Sequence, residues 1–218
     1  MELIFKVILY YIPLLLSITI HEYAHAFTSY KLGDETAYRM GRLTLNPIAH
    51  IDILGTVIMP IMGILSGLPF FGWAKPVPFN PLFFNRNISM RRGIMYTALA
   101  GPVSNLIFAL IMILCGRLIL LAVPDSDSGI FKALFLLVVN TMQVNIGLFL
   151  FNLLPVPPLD GSKILYGILP ESKMYIIEFI EKYSFILFIA VILFAGDIIG
   201  PAFIGMTRFF SGLMGIYF

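Results

Sequence analysis

The sequence SITIHEYAHAF, residues 17–27, lies within an apolar stretch that runs from residue 7 to residue 30. That stretch is longer than the about 20 residues that a membrane-spanning helix needs. On such a helix His21 and His25 lie one turn apart on the same face. Their imidazoles can converge on one metal ion, with Glu22 beside it as a proton acceptor for a bound water molecule. Ionisable groups in hydrocarbon usually have a partner or a function, so the motif indicates a metal site more strongly than a chance pair of hydrogen-bonded histidines.

The composition indicates a membrane protein. Hydrophobic residues make up 59% of the chain and charged residues 12%, whereas roughly 25% of a typical soluble domain is charged. Lipid must therefore cover much of the surface. The formal net charge of +2 and the lack of a Lys/Arg run give no sign of a nucleic-acid partner. The single cysteine, Cys115, excludes a disulfide within the chain and a cysteine-based metal motif.

Four further apolar segments follow the first one: residues 53–74, 93–116, 133–159 and 183–207. Residues 53–74 carry no charge but contain many glycines and prolines, which argues against one straight helix. We expect this segment to enter and leave the bilayer on the same side. The sequence therefore predicts an all-α membrane protein, a multi-pass transmembrane helix bundle of about 4–6 spans with a re-entrant segment.

Residues 36–45, with the sequence TAYRMGRLTL, mix β-forming and polar residues and end before Asn46-Pro47. This pattern predicts a short strand or β-hairpin at the membrane surface.

The distribution of basic residues orients the predicted bundle. Cations concentrate between the first and third apolar segments, whereas the short connection before the fourth carries two aspartates. Because cytoplasmic loops are enriched in Lys and Arg, the cation-rich connections are predicted to be cytoplasmic and the acidic turn external. The cations are Lys31, Arg39, Arg42, Lys75, Arg86, Arg91 and Arg92, and the aspartates are Asp125 and Asp127.

A zinc hydrolase site needs a third protein ligand and an open position for water. His50 is the one other histidine, but it lies in NPIAHID at the predicted membrane surface. Asp160 is the stronger candidate, because it follows the proline-rich run FNLLPVPPLDGS at the end of an apolar helix, where it can point back toward the bundle. By the residues alone, a plain helix-ending loop with an exposed aspartate remains the alternative interpretation.

Several motifs in order along the chain resemble one family, the site-2 proteases, which are intramembrane zinc metallopeptidases. HEYAH matches the family's H-E-x-x-H, and residues 152–161 match its N-x-x-P-x-x-P-L-D-G. Residues 71–81 (FGWAKPVPFNP) and 100–105 (AGPVSN) also resemble family segments, and residues 41–52 resemble the compact bacterial and archaeal branch. The resemblance extends from about residue 8 to about residue 166, and no PDZ-like or CBS-like insertion is present.

The resemblance implies a mechanism and a set of residues. One Zn²⁺ per chain is expected on His21, His25 and Asp160, with Glu22 as the general base and Asn152 as an assisting catalytic residue. The expected activity is hydrolysis of peptide bonds in transmembrane segments of other membrane proteins. The orientation inferred from the basic residues puts the expected active site toward the cytoplasmic side of the cell membrane. The whole chain, residues 1–218, is predicted to be one integral-membrane protease domain with a core at about 8–166 and C-terminal helices at 167–218.

The expected partners are transmembrane protein substrates and the lipid bilayer, and the sequence does not indicate an oligomeric state. A substrate helix must unwind locally, and an exposed edge at residues 36–45 or 71–81 could hold it extended by β-addition. Two other functions remain open. An ion channel or transporter would show paired broken helices in two repeat halves, and no repeat is seen. A catalytically inactive homologue would bind membrane proteins without cutting them.

Polar residues outside the motifs are expected to have structural roles. Asn140, Gln143 and Asn145 are predicted to form hydrogen bonds between helices, whereas the resemblance also makes Asn105 a candidate neighbour of the active site. Two interpretations apply to Arg117 and Asp197: they form an ion pair in the outer part of the bilayer, or Arg117 reaches the headgroups and Asp197 caps a helix break before Gly200-Pro201.

Overall fold

The computed structural model describes residues 2–66, 72–122 and 129–216, which form eight α-helices and no strand. The predicted acidic turn with Asp125 and Asp127 lies outside these residues. The helices are α1 Glu2–Lys31, α2 Thr36–Arg39, α3 Met59–Ser66, α4 Met90–Ala122, α5 Gly129–Asn152, α6 Asp160–Ile168, α7 Met174–Lys182 and α8 Ser184–Met214. Four of them, α1, α4, α5 and α8, are long and apolar enough to cross a membrane, so the all-α membrane fold is confirmed.

Polar contacts tie α1 to α5 where a proline interrupts the hydrogen bonds of α1. Pro13 lies inside α1, and because it has no N–H, the carbonyl of Leu9 loses its partner within the helix. The Asn140 side chain of α5 donates to that carbonyl over 3.2 Å. The prediction that Asn140 forms a hydrogen bond between helices is therefore confirmed.

Helices α4, α5 and α8 share an apolar core. Its buried members include Ala109 and Ile113 of α4, Met142 and Ile146 of α5, and Met214 of α8. The last turns of α8 pack most closely, since Met214 is fully buried. The first half of α8 is largely exposed, and lipid would cover it in a membrane.

Arg117 and Asp197 are far apart, so the predicted ion pair is wrong. Arg117 Nη1 donates to the Met214 carbonyl at the C-terminus of α8 over 3.4 Å. Asp197 lies near the middle of the same helix, about 25 Å from Met214 at 1.5 Å per residue. The α8 backbone is non-helical at Phe194, before Asp197, so Asp197 does not cap a break that follows it either.

The predicted strand at residues 36–45 is replaced by the short helix α2. Asp34 explains the difference, because its buried carboxylate accepts hydrogen bonds from the Thr36 N–H and hydroxyl and so forms an Asx turn that leads into the helix. Its second oxygen accepts from Asn80 N over 2.7 Å. These local bonds offer the backbone an alternative to a strand pairing.

The chain between residues 50 and 80 leaves the bundle and returns beside its own start. A π-helix, Ile53–Ile58, leads into α3. After residues 67–71, which are not among the described ones, the Trp73 N–H donates to the Gly55 carbonyl over 3.3 Å and the Lys75 N–H to the His50 carbonyl over 2.9 Å. This course is compatible with the predicted re-entrant path, and re-entry into the bilayer stays a prediction.

Candidate metal centre

Two histidines on α1 form one side of a buried centre. The helical repeat brings His21 and His25 onto one face, with Nε2 atoms 3.0 Å apart and imidazole rings nearly perpendicular. Both side chains are buried. Their positions follow from the helical spacing that the sequence predicted.

Asp160 completes the centre from the first residue of α6. Its Oδ2 lies 3.1 Å from the Nε2 atom of each histidine. The preceding turn packs so closely that a Cβ on Gly161 would lie 2.3 Å from the Leu154 carbonyl oxygen. Only glycine fits there, and its small size lets the chain aim the Asp160 carboxylate at α1.

The hydrogen bonds at Nδ1 decide which nitrogen of each imidazole carries a proton. His25 Nδ1 lies 2.7 Å from the Thr97 carbonyl oxygen, which can only accept, so Nδ1 is the donor. His21 Nδ1 lies 2.6 Å from Asn105 Oδ1, and it donates because the Asn105 nitrogen already faces two acceptors, Ser17 O and Asn145 Oδ1. In the neutral form, both histidines therefore present a lone pair at Nε2.

Three electron-pair donors thus converge on one point, which is the arrangement that a metal cation needs. A proton could lie between only two of the three atoms, whereas a divalent cation would satisfy all of them. Ligands bound tetrahedrally at about 2.0–2.2 Å would be about 3.3–3.6 Å from one another, a few tenths of an ångström more than the observed 3.0–3.1 Å. Asp160 Oδ2 also has no hydrogen-bond partner among the described residues. The donor set therefore fits one zinc ion.

Asp160 is held in its ionised form. Lys163 Nζ lies 3.8 Å from the other carboxylate oxygen. The carboxylate is thus available as an anionic ligand.

Glu22 lies next to the two histidines, and its carboxylate is hydrogen-bonded to a different part of the chain. One ligand atom from each of His21, Glu22 and His25 falls within 4.8 Å of the other two. Glu22 Oε2 accepts a hydrogen bond from the Val77 N–H over 2.8 Å, so the extended segment after Gly72 holds the carboxylate in place.

All five predicted site residues line one cavity of about 520 Å³. His21, Glu22 and His25 come from α1, Asn152 from α5 and Asp160 from α6. Most of the remaining lining is apolar and comes from α5, α8, Met59 of α3 and the segment after Gly72. The Asn152 amide nitrogen donates to the Leu148 carbonyl over 3.0 Å. His50, the rival third ligand, bonds instead to the Thr44 carbonyl over 2.8 Å.

Sequence reasoning missed four contributors to the centre. The predicted hydrogen bonds of Asn145 between helices are confirmed, but its place behind the centre was not predicted. Ser17 was not singled out, although Ser17, His21 and His25 follow each other at the spacing of one helical face. Lys163 lies three residues after Asp160 on α6, which is also a same-face spacing. The Val77 N–H is a backbone group in a loop, so no residue type could have indicated it.

Fold and site together indicate a multi-pass membrane protein with a candidate metal centre of two histidines and one carboxylate. Among known sequences, Peptidase family M50 matches residues 117–195, which include Asn152 and Asp160. "Putative zinc metalloprotease YwhC" of Bacillus subtilis is 39% identical over 186 residues, which cover 83% of this chain and 78% of that protein.

Two mycobacterial relatives carry a related name. "Putative zinc metalloprotease Rip2" of Mycolicibacterium smegmatis is 30% identical over 73% of this chain and 57% of that protein. The Mycobacterium tuberculosis protein of the same name is 28% identical over 93% of this chain and 72% of that protein. No solved structure matches the chain. The chain belongs to Peptidase family M50, the site-2 protease family, and is a zinc metalloprotease.

Proposed function

We propose that His21, His25 and Asp160 hold one zinc ion and that Glu22 acts as general base in the hydrolysis of peptide bonds within transmembrane segments. One observation carries the proposal: three lone pairs converge within 3.0–3.1 Å, and a free carboxylate lies beside them in a cavity with largely apolar walls. A purely structural histidine pair would not leave Asp160 Oδ2 without a hydrogen bond.

Each side chain has a distinct part in the reaction. Zinc bound at this centre supplies Lewis acidity, which makes water more acidic and the scissile carbonyl more electrophilic. Glu22 takes the proton from the attacking water, while the Val77 N–H holds one of its oxygens and leaves the other for the transfer. Asn152 lines the same cavity, and the N–H that it does not give to Leu148 can donate to the developing oxyanion.

The walls of the cavity favour an apolar substrate segment. Phe188 and Ile192 of α8 and Met59 of α3 line the same cavity as the histidines. A transmembrane helix hides its amides in internal hydrogen bonds, so we expect the substrate to be bound locally extended. An apolar cavity favours such a segment over a polar peptide.

The segment after Gly72 is the better of the two predicted docking edges. The N–H groups of Trp73, Lys75 and Val77 all point to the protein, where Gly55 O, His50 O and Glu22 accept them. In an extended chain, the backbone N–H and C=O groups of the residues between these three point away from the protein. Pro76 and Pro78 lack an N–H, so on that edge they offer only carbonyl oxygens to the N–H groups of a substrate strand.

We further propose that the centre lies near the cytoplasmic face. A hydrogen bond holds the chain just after α1 next to the chain that leads into α4: Asn85 N donates to the Leu32 carbonyl over 2.7 Å. Along α1, His25 and His21 lie six and ten residues before Lys31, or roughly 9–15 Å from that end. Basic residues cluster at this end, as the positive-inside tendency requires of a cytoplasmic face.

The Glu22→Gln variant tests the proposed chemistry directly. The full-length chain, in nanodiscs, would be assayed with a fluorescent transmembrane peptide and for bound zinc. We expect Glu22→Gln to keep zinc and to lose about 10²–10⁴-fold in rate, the usual contribution of a general base. Cleavage at the wild-type rate would remove Glu22 from the mechanism.

The wild-type chain also tests the alternative of an inactive binding homologue. That alternative would be the better description if the wild-type chain binds zinc but cuts no membrane protein, either in nanodiscs or in a comparison of membrane-protein fragments from cells.

A further inference from the structure

A chain of buried hydrogen bonds extends from His21 through two other helices. His21 Nδ1 bonds Asn105 Oδ1 over 2.6 Å, Asn105 Nδ2 bonds Asn145 Oδ1 over 2.8 Å, and Asn145 Nδ2 bonds Ser17 Oγ over 2.8 Å. Ser17, Asn105 and Asn145 are all fully buried. Asn145 and Ser17 do not touch the ligand atoms, and no peptide-hydrolysis step uses them.

Backbone carbonyls fix the direction of every bond in this chain, because a carbonyl oxygen can only accept. The Ser17 hydroxyl donates its single proton to the Pro13 carbonyl over 2.6 Å, so Ser17 Oγ can only accept from Asn145. Asn145 Nδ2 also donates to the Thr141 carbonyl over 2.8 Å. The Asn145 nitrogen therefore faces Ser17 and Thr141, and its oxygen faces Asn105.

The same logic continues to His21. Asn105 Nδ2 donates to Asn145 Oδ1 and to the Ser17 carbonyl, which lies 3.2 Å away. Its oxygen is then the atom that meets His21 Nδ1, and this nitrogen must carry the proton. A flipped Asn105 amide would present N–H to Nδ1 and move the proton to Nε2, where it would block the lone pair that a metal needs.

We propose that Asn145 and Ser17 are positioning residues for His21: acting through Asn105, they fix the tautomer that leaves Nε2 free for zinc. The inference rests on the proposed zinc site. It connects the middle of α5, a helix that contributes no zinc ligand, to the ligand His21, and it gives a reason for placing three uncharged polar side chains in an apolar bundle. Partners one hydrogen bond behind a metal ligand commonly change metal affinity by about 10–100-fold.

Asn140 provides a matched control on the same helix. Like Asn145, it lies in α5 and donates a side-chain hydrogen bond to α1, here to the Leu9 carbonyl. Unlike Asn145, it has no hydrogen-bonded connection to a histidine among the described residues. If both asparagines served only to hold helices together, replacing either one would lower stability, and the two variants would have the same zinc affinity.

The test measures zinc affinity, by competition with a chelator, for the full chain in nanodiscs. We expect Asn145→Leu to bind zinc about 10-fold more weakly, at the lower end of the range for such partners, and Asn140→Leu to match the wild type. Asn145→Asp keeps an oxygen toward Asn105, so it should restore affinity to within a few-fold. Equal zinc affinity for Asn145→Leu and Asn140→Leu would overturn the proposal. Full zinc binding by His21→Ala would instead contradict the zinc site itself.

The wild-type protein offers a second test that needs no variant at position 145. The chain has three histidines, so ¹⁵N-histidine NMR spectra of the zinc-free protein can be assigned with His→Ala variants. The proposal predicts that neutral His21 carries its proton on Nδ1. A spectrum with the His21 proton on Nε2 would refute the proposed role of Asn145 and Ser17, whatever the affinity measurements give.

Discussion

At the scale of single residues, Gly101 determines how closely α4 can approach the metal centre. A Cβ at this position would lie 2.4 Å from His25 Nε2 and 2.6 Å from His21 Cε1. Because glycine has no side chain, the α4 backbone packs against both imidazoles. This approach lets Thr97 and Asn105 reach the two Nδ1 atoms.

Replacing Gly101 should therefore damage metal binding in particular. We expect Gly101→Ala to weaken zinc binding at least about 10-fold, because the new methyl group displaces the imidazoles from Asp160 and from their Nδ1 partners. Gly196→Ala is the matched control, since a Cβ at Gly196 meets no atom within 4 Å. Titration of both variants with zinc measures the effect. Equal affinity in the two would show that α4 does not constrain the centre.

The residues of the centre differ in how far the sequence could predict them. His21, Glu22 and His25 fall within five consecutive residues, so helical periodicity alone brings them together. Asp160 is far away along the chain, and only the resemblance to a family favoured it over an exposed loop aspartate. The orientation of Asn145 depends on which helix α5 packs against, and a single sequence does not contain that information.

At the scale of elements, α8 ends against α4 through Arg117. The guanidinium donates to the Met214 carbonyl, one of the C-terminal carbonyls of α8 that have no partner within the helix. A sequence gives the depth of a charge in a membrane but not the rotation of its helix. Depth alone suggested Asp197 as the partner of Arg117, and the structure separates the two.

A double-mutant cycle distinguishes these arrangements. We expect Arg117→Ala to destabilise the protein by about 1 kcal/mol, through loss of the bond to Met214. Asp197→Ala should act independently, so the two effects should add to within about 0.5 kcal/mol. Unfolding in mixed micelles measures both. A coupling energy well above that limit would indicate an ion pair after all.

The segments that link the long helices were predicted less well than the helices themselves. The long spans follow from hydrophobic length, which sets their number and their approximate bounds. Helix α2 depends on the Asp34 carboxylate, which outweighs the β-forming residues after it. The course of residues 50–80 depends on backbone bonds such as Lys75 N to His50 O, and side-chain patterns do not encode these.

At the scale of the whole molecule, charge is distributed unevenly along the bundle. The end near Lys31 carries ten of the fourteen Lys and Arg residues, and the metal centre lies toward the same end. By the positive-inside tendency, we propose that this end is cytoplasmic. The ten residues are Lys31, Arg39, Arg42, Lys75, Arg86, Arg91, Arg92, Lys163, Lys173 and Lys182.

Cysteine labelling in intact cells tests this orientation. In a Cys115→Ala background, we would introduce Arg86→Cys at the site end and Lys132→Cys near the start of α5. Both native side chains are exposed. A maleimide that does not cross membranes should label Lys132→Cys in intact cells and Arg86→Cys only after permeabilisation. The reverse pattern would place the metal centre near the outer face.

The ligand set is the central claim, and zinc content measures it most directly. Zinc per chain would be determined by elemental analysis for the purified wild type, Asp160→Ala and His50→Ala. His50 is a suitable control because it is buried and bonded to Thr44, away from the other two histidines. We expect about one zinc per chain in the wild type and in His50→Ala, and a large loss in Asp160→Ala. Full zinc in Asp160→Ala together with its loss in His50→Ala would contradict the assignment of the third ligand.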